Sequence, residues 1–419
     1  MKIAVLSDFH LGFSVTPETQ EDSFEAAKEA IEKAVERNVD LIIIAGDIFD
    51  SRNPKARVWY SVLKILSLPL KVKNRGVRYV ASSKELDKIV YERTLNHLPV
   101  VAIHGNHDRN PKGEVNIVKA LENAGLLIHL HTDWVEFEKN GERIRIYGMS
   151  HVPERFAYEM LKEWSPKPED GRINILLLHQ NIDPYVYSPL EKPTLRLSNL
   201  PKGFDVIING HIHEFQVDKI NGTLFLVPGS TIITQFKSTE AEKSKGFVIL
   251  DLTNGNIKYE FVELENCRRF YYLEIRDPKN LEGEIERKLA QIPTASKKPI
   301  IKIKIIGEES EYSESSIRRV EKQYKDKFIL LFSKELYSKE LEEKIEILNQ
   351  LKHEDKSIFL KGLTLLESNL KDLGFKGTFD WERIFHLLAD KEVDNALNLI
   401  LNKQTTLDSL LRKSLGLEK

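Results

Sequence analysis

The chain opens on a continuous apolar run, Lys2 to Ser7 (KIAVLS), that breaks off at Asp8-Phe9-His10, and the same construction recurs downstream. Val39 to Ala45 breaks off at Gly46-Asp47, Pro99 to Ile103 at His104-Gly105-Asn106-His107-Asp108, and Ile173 to Leu178 at His179. Asp205 to Ile208 leads into Asn209-Gly210-His211-Ile212-His213, and Leu224 to Val227 into Pro228-Gly229-Ser230. Runs this short and this uniformly apolar predict strands buried on both faces, as in parallel sheets. Between the first two, Phe24, Ala27, Ile31, Ala34 and Val35 recur at helical spacing, which predicts a βαβ unit. Open α/β sheets bind ligands beyond the carboxyl ends of their strands. There this chain concentrates carboxylates, imidazoles and an amide.

Further helices are predicted over 57–68, 83–96 and 115–123, the last stopped by Gly125, with a short extra strand over 77–80. Alternating residues over 134–138 and 143–148 flank Asn140-Gly141, a hairpin signal, and strands over 246–252 and 257–262 flank Asn254-Gly255. Past Asn266 strands over 270–275, 300–306 and 328–332 alternate with helices over 281–292 and 315–324, which predicts a second, smaller α/β domain. Beyond Lys334 the strand signal stops and short amphipathic faces follow, among them Trp381, Ile384, Phe385 and Leu388, then Val393, Leu397 and Ile400. Such faces close a mini-bundle or wait for a partner. On this pattern the chain divides into residues 1–264, 265–334 and 335–419.

A length of 419 residues exceeds one ordinary core and agrees with that division. With 41% hydrophobic and 30% charged residues, a soluble globular protein is expected. No apolar run nears the ~20 residues of a bilayer span. Asp8 and His10 interrupt the N-terminal run and no small-residue cleavage site follows, so a cytoplasmic protein is expected. Cys267 is the only cysteine, which excludes an internal disulfide and a thiolate cluster. Few Cys and Met beside many Lys and Glu lean towards a thermophilic prokaryote.

A formal net charge of −2 argues against a uniformly basic nucleic-acid binder, so any DNA contact needs a local patch. One such stretch carries Arg52, Lys55, Arg57, Lys71, Lys73, Arg75 and Arg78 with no Asp or Glu from Ser51 to Lys84, and Arg109 is a further candidate. It is either a phosphate-contacting surface or a solvated face balanced by acidic neighbours.

Collected, the strand-end residues are Asp8, His10, Asp47, Asn106, His107, His179, His211 and His213. Carboxylates, imidazoles and an amide without thiolate suit manganese, iron or zinc. They exceed what one ion needs. Two ions sharing a bridging carboxylate would use them and leave His107 for catalysis. His97, His104, His129, His131, His151, His353 and His386 lack the pattern and read as satisfied buried imidazoles.

In chain order, Asp8-x-His10, Gly46-Asp47, Gly105-Asn106-His107-Asp108, His179 and Gly210-His211-x-His213 resemble the signatures of the calcineurin-like metallophosphoesterases. Asp8-Phe9-His10-Leu11-Gly12, Leu178-His179-Gln180 and Pro228-Gly229-Ser230-Thr231 resemble, more narrowly, the nuclease subunit of the double-strand-break repair complex, the meiotic-recombination-eleven or SbcD-like family. The resemblance covers about the first 265 residues. It implies an α/β layered metallophosphoesterase sandwich of two mixed sheets flanked by helices, then a small α/β DNA-capping domain. A helical tail would bind an SMC-like coiled-coil ATPase through Trp381, Ile384, Phe385, Leu388, Val393 and Leu397.

The resemblance further implies two divalent ions, expected to be manganese, one held by Asp8, His10, Asp47 and His213 and the other by Asp47, Asn106, His179 and His211. Asp47 would bridge, His107 would face the scissile phosphate and Asp108 would orient His107. A homodimer, with the helix after Asp108 as candidate contact, and manganese-dependent exonuclease and single-strand endonuclease action on broken DNA complete the expectation. Two departures stand out. Asp50 occupies a position where many relatives carry a histidine associated with exonuclease action, and the stretch from Asp47 to Asn106 is longer than expected. The alternatives are another phosphoesterase of the same fold, for which Asp50-Ser51-Arg52 partly imitates a protein-phosphatase motif, and a DNA- and partner-binding scaffold with an idle metal site.

Overall fold

Strand direction and burial place the polar strand ends together. The computed structural model describes residues 1–337 except 111–112, 187–194, 242, 277–279, 294 and 309–312, and beyond them Arg383, Ile384, Leu387, Leu397 and Leu399. The chain forms two units, one of residues 1–274, 285–304 and 317–333, the other of 275–284, 305–316 and 334 onward. The strand-end candidates all belong to the first.

The elements run β1 (Lys2–Leu6), α1 (Asp22–Glu36), β2 (Leu41–Ala45), α2 (Ala56–Leu66), β3 (Arg78–Ser82), α3 (Lys88–Asn96), β4 (Val100–Ile103), α4 (Ile117–Asn123) and β5 (Ile128–His129). The hairpin β6 (Asp133–Lys139) and β7 (Glu142–Met149) follows, then α5 (Glu154–Trp164), β8 (Ile173–Leu178), β9 (Ile182–Asp183), β10 (Leu195–Arg196) and β11 (Val206–Asn209). Next come β12 (Gln216–Ile220), β13 (Thr223–Val227), β14 (Gly246–Asp251) and β15 (Lys258–Glu263). One sheet has the order β15-β14-β1-β2-β4-β5 and the other β12-β13-β11-β8-β7-β6-β3. β1, β2, β4 and β5 are mutually parallel, as are β7, β8, β11 and β13.

Alternation of side chains gives each central strand two cores. Ile3, Val5, Ile43, Val101 and Ile103 meet Ile144, Ile146, Ile175, Leu177 and Val206 between the sheets. Ala4, Leu6, Ile42, Ile44 and Val100 pack outward on Phe24, Ala27, Ile31, Val118 and Leu121 of the helices. On the far side Tyr147, Met149, Leu176 and Leu178 pack on Ala157 and Leu161 of α5. The result is the expected sandwich of two mixed sheets flanked by helices, and it explains the uniform runs, since both faces of each strand are buried. At roughly 1.5–3 kcal/mol per fully buried Leu or Ile side chain, this core holds the strand ends in fixed register.

A three-stranded sheet of order β16-β17-β18, built from β16 (Phe270–Ile275), β17 (Ile300–Glu308) and β18 (Ile329–Tyr337), follows with α6 (Leu281–Leu289) and α7 (Glu314–Tyr324). α3 starts at Lys88 rather than 83, because the Asp87 side chain accepts the Ile89 N–H and caps the helix there. Upstream, Ser82 stays extended opposite Val135. The Asn140-Gly141 turn has both residues at positive φ, 52° and 80°, as a two-residue hairpin requires.

Candidate dinuclear metal centre

Several strand ends adopt a backbone that ordinary residues avoid. Asp8 (φ 52°), His10 (44°), Asp47 (48°) and His211 (78°) are left-handed, a strain that clusters at functional sites. The loops ride on one another: Asp8 N–H donates to Gly46 O at 3.1 Å, His10 N–H to Asp47 O at 3.0 Å and Gly210 N–H to Leu178 O at 2.9 Å. A Cβ on Gly105 would lie 2.0 Å from Asp47 Oδ1, and one on Gly46 2.3 Å from His179 Nδ1. Only glycine permits that approach.

These turns bring three overlapping groups of donor atoms together, one nitrogen or oxygen from each member lying within 4.8 Å of its partners: Asp8, His10 and His213 at one end, Asp47, His179 and His211 at the other, and His10, Asp47 and His107 across the open side. Asp47 stands between the two ends, with Oδ2 at 3.8 Å from His10 Nε2 and 3.3 Å from His179 Nε2. Asn106 Oδ1 lies 3.2 Å from His179 Nε2 and 3.1 Å from His211 Nδ1. Asp8 Oδ1 is 3.6 Å from His213 Nε2, which faces His10 Nε2 at 3.1 Å.

The donors fit divalent metal ions. Asp8 Oδ1 is buried with no hydrogen-bond partner among the described residues, a costly arrangement unless a ligand satisfies it. His179 Nδ1 bonds Ala45 O at 2.7 Å, which leaves Nε2 turned to the cluster as a ligand nitrogen should be. Burial alone would raise Asp47, but His179, His10 and His107 outweigh it and hold the carboxyl far below the ordinary range. Asp8 is raised, chiefly by burial and further by the charge on Asp47. Burial pushes His211 down to about 3 and His213 well below its usual value. Burial would lower His179 and His10 as well, but Asp47 and Asp8 outweigh it and raise His179 to about 9, and Asp50 with the same two carboxylates raises His10. Imidazoles held against buried carboxylates form a hard-to-borderline donor set.

His107 stands at the open side. Its ring meets His10 edge-on at 4.7 Å and its side chain is 40% exposed, while its backbone N–H donates to Asp47 Oδ1 at 2.9 Å. Its Nδ1 bonds the carbonyl of Asp50 at 2.8 Å. That differs from the expected role of Asp108, whose buried carboxylate accepts the backbone N–H groups of Ile48 (3.1 Å), Phe49 (2.8 Å) and Gly105 (3.0 Å). Asp108 therefore fastens the two loops, and the Asp50 carbonyl orients the imidazole. The Asp50 carboxylate lies 3.3 Å from His10 Nδ1.

A supporting layer escaped sequence reasoning. Thr234 Oγ1 meets His213 Nδ1 at 2.8 Å, and buried Lys245 donates to His213 O at 2.9 Å and to Glu240 Oε1 at 2.7 Å. Its only local signal was adjacency to Pro228-Gly229-Ser230-Thr231. The satisfied-imidazole expectation is corrected at His97, His131 and His151, whose buried Nδ1 atoms lack partners among the described residues. His353 and His386 lie outside the described residues.

In the basic stretch, Arg57 pairs with Glu21, Arg78 with Glu138 at 2.7 Å, and Arg75 caps α1 through Val39 O (2.8 Å) and Val35 O (3.2 Å). Arg52, Lys55, Lys71 and Lys73 are exposed and Arg109 is half-buried. Of the tail candidates, Ile384 is buried and Leu397 exposed, whereas Trp381, Phe385, Leu388 and Val393 lie outside the described residues. No helix among the described residues is long and apolar enough to cross a membrane.

Comparison with known proteins agrees with this geometry. The DNA double-strand break repair protein Mre11 of Methanopyrus kandleri is 27% identical over 309 residues, 69% of this chain and 62% of that one. Mre11 of Thermoplasma acidophilum is 29% identical over 314 residues, 72% of this chain and 76% of its own length. The double-strand break repair protein MRE11 of Encephalitozoon cuniculi is 30% identical over 311 residues, 69% and 52% of the two chains. The chain thus spans between about half and three quarters of these curated relatives. The calcineurin-like phosphoesterase family matches residues 1–215, a span that takes in every strand end from Asp8 to His213, and the chain belongs to that family.

Proposed function

We propose that the protein is a manganese-dependent DNA nuclease, acting on duplex ends and single strands and working with a coiled-coil ATPase on broken DNA. The observation that carries this reading is Asp47 Oδ2, between two donor clusters at 3.3 and 3.8 Å, beneath a half-open His107. The names of the relatives, all double-strand break repair proteins, support DNA as substrate. In this reading Asp8, His10, Asp47 and His213 hold one ion, and Asp47, Asn106, His179 and His211 the other. When bound, such a pair supplies charge for both oxygens of a phosphoryl displacement and acidifies water.

The rest falls to the chain's own groups. Asp47 joins the two clusters and accepts the backbone N–H of His107, which fixes the loop that carries the imidazole. His107, held through Nδ1 on the Asp50 carbonyl, keeps its other nitrogen for the phosphate or for protonating the leaving oxygen. Asp108 keeps the two loops in register. Exposed Arg52, Lys55, Lys71 and Lys73, with Arg109, are the residues retained for backbone contact; Arg57, Arg75 and Arg78 already serve intramolecular bonds. Residues 1–264 form the nuclease domain, 265–334 the capping domain and 335–419 the ATPase-binding segment, with a homodimer as the working form.

The test is cleavage of end-labelled linear duplex and of single-stranded circular DNA with manganese, with magnesium and with chelator. Manganese-dependent cutting of both supports the reading. Cutting of a small phosphodiester with neither DNA touched would move the protein to another phosphoesterase activity.

A further inference from the structure

We propose that His151 is a substrate-contacting residue of the dinuclear centre: its Nε2–H donates to a non-bridging oxygen of a phosphodiester held at the Asn106, His179 and His211 end. The inference rests on the phosphoesterase reading of that centre and not on DNA as the substrate. Register puts the residue there. β7 and β8 run parallel with Met149 opposite Leu178, so Ser150 and His151, which follow β7, run beside His179 and Gln180. β7 thus ends as β8 and β11 do, in imidazole at the carboxyl edge of the sheet. Its alternating residues, unlike a uniform apolar run, gave no sign of this.

Backbone bonds fix the residue against the catalytic loop. His151 N–H donates to His104 O at 2.9 Å, while Ser150 Oγ accepts the His104 N–H at 3.0 Å and donates to Leu130 O at 2.7 Å. His104 leads directly into Gly105-Asn106-His107. The ring itself stands just outside the candidate ligands. Paired ligand rings are 4.9 Å apart (His10 and His213) and 5.3 Å apart (His179 and His211). His151 is 6.3 Å from His179 and 6.5 Å from His211, and its nitrogens join no close group of donor atoms among the described residues. It is therefore not a further ligand. From that position a hydrogen bond of ~2.7–3.0 Å reaches an atom the ligands hold rather than the ligands themselves.

A purely structural imidazole this deep bonds a neighbour through at least one nitrogen. His151 is 9% exposed and bonds none among the described residues. Its Nδ1 is sealed without a partner, whereas Nε2 is neither bonded nor sealed, so Nε2 is the nitrogen an incoming ligand meets. With no acceptor facing Nδ1, the ring hydrogen belongs on Nε2, which donates whether the ring is neutral or charged. Burial pushes His151 down to about 3, and the groups acting on it next are His179, Asp47, Arg109 and His107. The ring therefore looks onto both the centre and the approach to it. His107 serves the His10 end, His151 the His179 and His211 end, and Arg109 lies near enough to act on both loops. An anionic oxygen is the ligand that such donors suit.

The test compares wild type with His151→Phe, His151→Asn and His151→Gln in the full-length, manganese-loaded protein. Manganese occupancy, calorimetric affinity for inorganic phosphate, and single-turnover cleavage of DNA and of bis(4-nitrophenyl) phosphate are measured on each. Glutamine places an amide N–H near the position of Nε2, whereas asparagine places it near Nδ1. Occupancy is expected to stay at the wild-type level in all three. Phosphate affinity should fall roughly ten- to hundredfold in the Phe and Asn variants and largely return in the Gln variant, with cleavage following the same order. If the Phe variant loses its circular dichroism, the Asn and Gln pair decides. Equal phosphate affinity in wild type and the Phe or Asn variant, equal losses in the Asn and Gln variants, or no phosphate binding in wild type overturns the proposal. A wild type that binds phosphate and hydrolyses the small diester but leaves DNA intact overturns the DNA reading alone.

Discussion

Replacing Lys245, which is 3% exposed, by methionine keeps an unbranched apolar stem and removes an ammonium bonded to His213 O at 2.9 Å, Ser230 Oγ at 3.0 Å and Glu240 Oε1 at 2.7 Å. The buried Glu240 carboxylate keeps the Gln235 N–H at 3.0 Å and loses its counter-charge. Removing one partner of a buried pair costs about 3–5 kcal/mol. At roughly 2–4 °C per kcal/mol for a large domain, the main thermal transition falls by about 6–20 °C. His213 also loses the donor that pins its carbonyl, so the Asp8, His10 and His213 cluster is expected to bind manganese at least tenfold more weakly. The double variant Lys245→Met/Glu240→Leu removes the stranded charge. It should recover most of the stability and none of the affinity, since the His213 carbonyl still lacks its donor. Calorimetric melts of the metal-free protein and manganese titrations read the two effects separately. A Lys245→Met protein that melts with wild type, or a double variant that regains full affinity, would refute the reasoning.

Gly105→Ala would push a methyl to 2.0 Å from Asp47 Oδ1 and 2.5 Å from the Asp47 backbone nitrogen. Manganese affinity should drop by at least tenfold with circular dichroism unchanged, and unaltered binding would contradict the packing. His129, at about 3 in the folded protein against 6.5 when unfolded, makes the unfolded state take up the extra proton below about pH 6.5. Stability is therefore full above that value and falls by ~1.4 kcal/mol per pH unit beneath it. Urea melts of metal-free protein at about pH 5 should show wild type losing roughly 2 kcal/mol more than His129→Gln, relative to neutral pH; parallel losses would sink the assignment. Asp50→His replaces a carboxylate 3.3 Å from His10 Nδ1 by an imidazole able to donate to phosphate. Degradation of duplex ends should rise relative to cutting of single-stranded circles, and an unchanged ratio would remove Asp50 from the account.

Much of the site was legible because its chemistry is local. Each candidate ligand ends a uniformly apolar strand, so the same few residues carry both the fold signal and the chemical one, as in Leu178-His179. The support was not legible, because Thr234, Glu240 and Lys245 reach His213 from a stretch with no periodic pattern. Asp108 illustrates a different failure: its neighbour in sequence suggested a partner for His107, whereas the carboxylate turns back to backbone donors 59 and 60 positions away. α5 was legible and went unread: Ala157, Met160, Leu161 and Trp164 recur at helical spacing and pack on the core. β5 is two residues long, and its pairing with β4, invisible in sequence, is what sets buried His129 beside the end of β4, with its Nε2 3.0 Å from His104 Nδ1.

The most direct test of the central claim compares wild type with His107→Ala, measuring manganese occupancy, DNA affinity and single-turnover cleavage on the same preparations. A working imidazole that is not itself a metal ligand predicts full occupancy, near-normal DNA binding and a loss of cleavage on the order of 10²–10⁴-fold. Cleavage unchanged in the variant, or lost only in proportion to lost metal, would contradict it.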